Sequence, residues 1–224
     1  MSMPIAHPAI RASMFVRTLV GAIILGPRID RFVDENSMYV SGHNIPHVAL
    51  GGFILVAGFM AFNGGSQASI NAPGNFNDIF FFYLFWKKFQ KLFFKQNSGD
   101  GEAVGTAVVA TLIACGTGGL VVLFIWKLLP QGRVWSLAKF INGCLAGMVT
   151  VCAGCNEFYP WIACLVSSIG GFVYLLVSDL MVRMRIDDPL DAVAVHGGPG
   201  KFCFSKFLSN LIHAPLKKFQ DYGV

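Results

Sequence analysis

Asp187-Asp188-Pro189-Leu190-Asp191-Ala192-Val193-Ala194-Val195-His196-Gly197-Gly198 is the stretch whose reading decides the fold. Three carboxylates and a proline open a run that turns apolar and then delivers one histidine between small residues. Ahead of it lies an apolar run, residues 161–184, closed by Arg183 and Arg185. Basic residues at the end of one apolar run, followed by an acidic collar and a new apolar start, describe a chain that leaves a bilayer and re-enters it. His196 then sits a turn or two into the hydrocarbon, where an ionisable side chain is by default a functional hypothesis. The plainer alternative is a histidine satisfied within a helix interface.

Composition carries the membrane reading to the whole chain. Of 224 residues 54% are apolar and 13% charged, with mean hydropathy +0.60, against roughly 25% charged in soluble domains. The net charge of +5 comes from Lys and Arg clustered in loops, which suits lipid headgroups, and no nucleic-acid module is present. Many of the 25 glycines lie in or beside the apolar runs, where they permit close helix approach. The six cysteines are Cys115, Cys144, Cys152, Cys155, Cys164 and Cys203, and most read as small buried hydrophobes. Cys152 and Cys155 form a single CxxC, whereas a structural metal site needs about four ligands. No nucleophile–base pair, phosphate-binding loop or zinc spacing appears, so neither an enzyme nor a cofactor is expected. Residues 1–18 do not read as a signal peptide, because Arg11 and Arg17 interrupt the apolar core.

Apolar runs occupy residues 14–25, 48–62, 103–129, 137–152 and 161–184, and the collar begins a sixth helix that is cut off after Gly200. The first is too short to span alone and reads as the C-terminal part of a helix. Pro46 stands where the first turn of the second helix tolerates proline. Arg28 and Arg31 follow the first run, Lys127, Arg133 and Lys139 lie near the turn between the third and fourth, and Arg183 and Arg185 close the fifth. These alternate loops are all cytoplasmic by the positive-inside rule.

Residues 76–98 break the pattern with dense aromatics and Lys87, Lys88, Lys91 and Lys95. If they spanned, the later helices would invert. A basic aromatic helix on the membrane surface is physically possible, but the segment reads better as a foreign insertion, of the kind left by untranslated sequence read through. Residues 201–224 form a second discontinuity, a divergent polar tail.

Three further stretches carry a resemblance: Gly42-His43-Asn44-Ile45-Pro46, then GFMAFNGGS from Gly58 to Ser66, then Gly99-Asp100-Gly101-Glu102-Ala103-Val104. With SLAKFINGCLAGMVTVCA from Ser136 and the opening stretch, they resemble the ammonium transporter family (the Amt, Mep and Rh group) in the same order. The resemblance implies an all-α polytopic membrane protein, part of a fold of eleven helices in two inverted repeats, assembled as a homotrimer. Residues 1–200 would be a partial transporter domain, from about the end of the fifth helix to the start of the tenth, holding most of the second repeat.

Carried over residue by residue, Ser66 matches a serine that helps bind ammonium at the outer vestibule, and Phe62 one of two phenylalanines that close the pore beneath it. His196 matches the second member of a pore-lining histidine pair. Asp187, Asp188 and Asp191 match a cytoplasmic acidic cluster that orders the helix start. The family register puts the first histidine at position 11, where this chain has Arg11. Read without the resemblance, Ser66 is a helix cap and Phe62 ordinary packing.

The expected function is therefore ammonium or ammonia transport in an integral, plasma-membrane protein, impaired by the missing repeat. The alternative is a non-transporting membrane chain that associates with full-length subunits, or an artefact of the gene model.

Overall fold

The helix ends explain themselves. Asn44 accepts a hydrogen bond from the His47 backbone N–H at 3.0 Å and Pro46 occupies the first turn, so α2 runs Ile45–Gly65. Ser136 does the same for α4, Leu137–Val151, through the Lys139 N–H. Pro160 starts α5, Pro160–Arg183. The other helices are α1, Pro8–Leu25, α3, Asp100–Leu128, and α6, Ala192–Phe202. This computed structural model describes residues 8–33, 36–37, 44–66, 100–129, 135–152, 154–156 and 158–202. The aromatic segment 76–98 and the tail from 203 onward lie outside the described residues.

Among the described residues the architecture is all-α apart from one small feature that the sequence reading did not foresee. After α1, β1 (Phe32–Val33) and β2 (Asn36–Ser37) pair antiparallel, Phe32 opposite Ser37 and Val33 opposite Asn36.

Among the described residues three helices are long and apolar enough to cross a membrane: α2, residues Gly101–Leu128 of α3, and α5. Residues 137–152, expected as a fourth span, form α4 at almost that length, which is short for a span. With 15 residues, α4 reaches about 22 Å, short of the roughly 30 Å of hydrocarbon. Eight of those residues are buried: Gly143, Cys144, Ala146, Gly147, Met148, Val149, Thr150 and Val151. Its apolarity reflects burial among neighbouring helices rather than contact with lipid. By contrast, the buried residues of α2 are Gly52, Asn63 and Gly64, and Phe53 and Ile54 stand exposed.

Packing of α3 on α4 depends on glycine. A Cβ on Gly118 would lie 2.9 Å from the Gly147 Cα, and one on Gly143 would lie 2.6 Å from the Val122 Cβ. A Cβ on Gly147 would collide with the Ala114 carbonyl oxygen. Helices in lipid lack a hydrophobic force between them, so this close backbone approach is how they gain van der Waals contact. On the next face, a Cβ on Gly171 of α5 would lie 3.1 Å from the Gly118 carbonyl oxygen.

The contacts also fix helix directions. Gly52 packs on Ile141 near the start of α4, while Gly64 packs on Val108 and Val104 near the start of α3. The end of α2 and the start of α3 therefore share one end of the bundle. At the opposite end, Arg28 bonds Asp187 and Lys139 bonds Asp191, while Lys127 lies over the Trp135 ring, 5.4 Å from its centroid. The basic loops thus gather at one end.

Gly147→Ala should force α3 and α4 apart, costing about 1–3 kcal/mol as overpacking does. Gly116, with nothing within 4 Å of its would-be Cβ, is the matched control, and Gly116→Ala should leave the melting midpoint of the detergent-solubilised chain within about 1 °C. Equal midpoints for the two variants would contradict the glycine contact.

Candidate functional site

The loop from α5 to α6 delivers three carboxylates, and each has a different task. Asp188 takes the free N–H groups of the first turn of α6. Its Oδ1 accepts from Ala192 at 2.9 Å, and its Oδ2 from Val193 at 2.7 Å and Ala194 at 3.3 Å. Those donors have no partner inside a helix, and the positive end of the helix dipole favours the carboxylate. Burial pushes the Asp188 carboxyl above its ordinary range, and the three backbone donors pull against it.

Asp187 reaches away from the helix toward the loop after α1. Arg28 donates to it in a fork, Nε to Oδ2 at 2.7 Å and Nη2 to Oδ1 at 2.9 Å, and the Arg28 backbone N–H adds a third bond at 3.0 Å. Arg31 Nε approaches Oδ1 at 3.4 Å. A bidentate guanidinium matches the two carboxylate oxygens. Those Arg28 hydrogen bonds, working against burial, bring the Asp187 pKa down to about 2.

Asp191 is the centre of the group, its backbone in the left-handed region at φ 53°. Lys139 of α4 donates to Oδ2 at 2.8 Å, Tyr174 of α5 at 2.7 Å and Asn142 of α4 at 3.2 Å. Ser178 of α5 donates to Oδ1 at 3.1 Å. Burial raises the pKa of this carboxyl, but the Lys139 ammonium and these donors outweigh it and leave the group below its ordinary value. Sequence reading treated Lys139 as a topology charge and missed Tyr174, Ser178 and Asn142. The available signal was the spacing of Tyr174 and Ser178, four residues apart, which places both on one face of α5.

His196 lies just over one turn into α6, half-buried, and among the described residues its imidazole has no hydrogen-bond partner. The neighbouring glycines let α6 fit between its neighbours: a Cβ on Gly197 would lie 2.5 Å from the Phe15 ring of α1, and one on Gly198 would lie 2.7 Å from Val173 of α5. It is Phe15 that packs on Gly197. Arg11 lies one turn earlier on α1, and its side chain is outside the described residues. An open cleft of about 470 Å³ between α1 and the α6 start is lined by Thr18, Gly21, Leu25, Arg28, Asp187 and Asp188, among others.

Phe62 and Ser66 sit at the other end of the bundle. Ser66 is the C-cap of α2, its hydroxyl donating to the Phe62 carbonyl at 2.5 Å. Phe62 is 46% exposed and meets Phe59 edge to face at 6.4 Å. Phe59 packs in turn on a buried cluster that includes Val122, Tyr174, Ala194 and Val195. So the structure brings the three carboxylates and His196 to one end and Phe62 and Ser66 to the other, with Phe59 linking the two through the residues just before His196. Asn63, beside Phe62, is fully buried and donates to Thr111 Oγ1 at 2.9 Å.

Long apolar helices, glycine-mediated packing and an ion-paired cluster at one end of the bundle define a polytopic α-helical integral membrane protein. The model of the Ammonium Transporter Family matches residues 15–204, and the chain belongs to that family. "Putative ammonium transporter 1" of Caenorhabditis elegans is 41% identical over 187 residues, covering 82% of this chain and 30% of its own length. Ammonium transporter 1 member 3 of Solanum lycopersicum is 33% identical, covering 80% of this chain and 35% of its own. The chain thus spans about a third of the length of these curated relatives. Among solved structures, a Sensor Amt Protein superposes with TM-score 0.68 at 23% identity, over 90% of this chain and 43% of that one. Saccharomyces cerevisiae Mep2 gives 0.64 at 23%, over 90% and 38%. This family consists of transporters and not enzymes.

A pH dependence follows from Asp187. Its folded pKa of about 2 lies below the ordinary 3.8, so its stabilisation is complete above 3.8 and is lost as pH falls through 2. The melting midpoint of the wild-type chain should fall more between pH 4 and pH 2 than that of Asp187→Asn, and at pH 7 the variant should melt lower. Parallel curves for the two would remove Asp187 from the account.

Proposed function

We propose that this chain takes part in moving ammonium or ammonia across the plasma membrane, supplying the pore residues Ser66, Phe62 and His196. Family membership is the observation that carries the reading, and the geometry gives each residue a physical task. An isolated cation costs several kcal/mol or more to move into hydrocarbon. Ser66 spends its proton on the Phe62 carbonyl, which leaves its oxygen lone pairs to accept N–H groups of ammonium. The exposed side of Phe62 offers a ring face worth about 0.5–2 kcal/mol to a cation and excludes water. Deeper in, the His196 imidazole, without a hydrogen-bond partner among the described residues, can accept a hydrogen bond from ammonia or donate one to it. The Asp187, Asp188 and Asp191 cluster faces the cytoplasm and holds the start of the His196 helix in place.

The working unit is a trimer, formed with copies of itself or with longer subunits. Residues 1–200 act as the transporter portion, with 76–98 as an insertion and 201–224 as a divergent tail. Labelled methylammonium uptake in cells lacking their own transporters tests the reading, using this chain alone and this chain joined to the first-repeat portion of a relative. His196→Ala in whichever form transports should change rate or selectivity at least tenfold while assembly, read by detergent chromatography, is unchanged. Wild-type transport by that variant would remove His196 from the pore. Co-purification with longer subunits but no uptake in either form would instead favour a non-transporting partner chain.

A further inference from the structure

Lys139 is held in an unusual way for a helix-end lysine. Its side chain is only 13% exposed. The Nζ atom donates to Asp191 Oδ2 at 2.8 Å and to Ser178 Oγ at 3.0 Å. It also lies over two rings, 5.3 Å from the Trp126 centroid and 5.4 Å from that of Tyr174. The polarity of the bonds is consistent throughout. The Ser178 hydroxyl accepts from Lys139 and passes its own proton to Asp191 Oδ1 at 3.1 Å, and Tyr174 donates to Oδ2 at 2.7 Å. One carboxylate, one hydroxyl acceptor and two ring faces around a nitrogen are the groups that recognise an organic cation with N–H donors.

We propose that Asp191, Ser178, Trp126 and Tyr174 form a binding site for a primary ammonium group, which the ammonium of Lys139 fills from within the chain. The site stands at the opposite end of the bundle from Ser66 and Phe62, and its existence does not rest on the transport reading. The ligand class is set by the geometry. A primary ammonium supplies N–H donors to Asp191 and Ser178 while its charge lies over the rings. A quaternary ammonium satisfies the rings but has no N–H for either oxygen, and sodium brings no donors at all. Filled by Lys139, the site keeps a fixed cation beside Asp191, so a free ammonium ion reaching this end finds its place already taken.

Removing the side chain beyond Cβ vacates the volume of one n-propylammonium ion, which suggests the test. Lys139→Ala should lower the melting midpoint of the detergent-solubilised chain by about 5 °C or more. Millimolar n-propylammonium, and more weakly methylammonium, should restore over half of that loss by binding the folded state. Tetramethylammonium and sodium at equal ionic strength should not. In the Lys139→Ala, Asp191→Asn double variant, n-propylammonium should restore nothing. Equal effects of all four cations, or equal rescue of the double variant, would overturn the site.

The wild-type chain gives an independent measurement should Lys139→Ala fail to fold. With 15N-labelled lysine, and Lys139→Arg to assign the signal, the Lys139 ammonium should show ring-current-shifted protons that exchange more slowly than those of the other lysines. A solvent-like signal would overturn the proposal.

Discussion

One carboxylate holds three helices of the bundle in register. Asp191 accepts hydrogen bonds from Lys139 and Asn142 on α4 and from Tyr174 and Ser178 on α5, and α6 begins at the next residue. A buried charge missing one partner costs several kcal/mol, so arrangements in which the three helix ends separate are strongly disfavoured. Replacing the whole group with well-packed apolar residues need not cost stability. What the polar group supplies is position: it fixes where α6 starts, and so how deep His196 lies. Asp188 finishes the job by holding the first-turn N–H groups.

Glycine does for the middle of the bundle what Asp191 does for its end. Gly118, Gly143, Gly147 and Gly171 bring α3, α4 and α5 to backbone contact, where neither a charge nor a large side chain would fit. The two devices act at different depths. The ion pairs of Asp187 and Asp191 lie at helix ends, where water and headgroups reduce the cost of imperfect pairing, while the interior relies on close packing and neutral hydrogen bonds such as Asn63–Thr111 and Thr117–Ser167.

Much of this was legible in the sequence. Helix positions followed from apolar runs, and the start of α2 from Pro46, because these are local effects. The gathering of basic loops at one end followed from their alternation along the chain. The burial of α4 was not legible because apolarity cannot distinguish a helix wrapped by protein from one facing lipid. The partners of Asp191 were missed for a related reason: Lys139, Tyr174 and Ser178 are 52, 17 and 13 residues away, and no local pattern pairs residues across such distances. The short pairing of Phe32–Val33 with Asn36–Ser37 carried no strand signal at two residues a side. Asp187, Asp188 and Asp191 were recognised as a group, but their separate tasks depend on which elements fold against each one.

The end of α2 and the start of α3 lie at the same end of the bundle, as the contacts of Gly64 with Val104 and Val108 require. Helices that meet in this way run antiparallel, so α2 leaves the bilayer on the side from which α3 enters it. The orientation of the later helices relative to α2 is thus written into side-chain contacts, Gly52 on Ile141 and Gly64 on Val108, and not only into the chain that joins them.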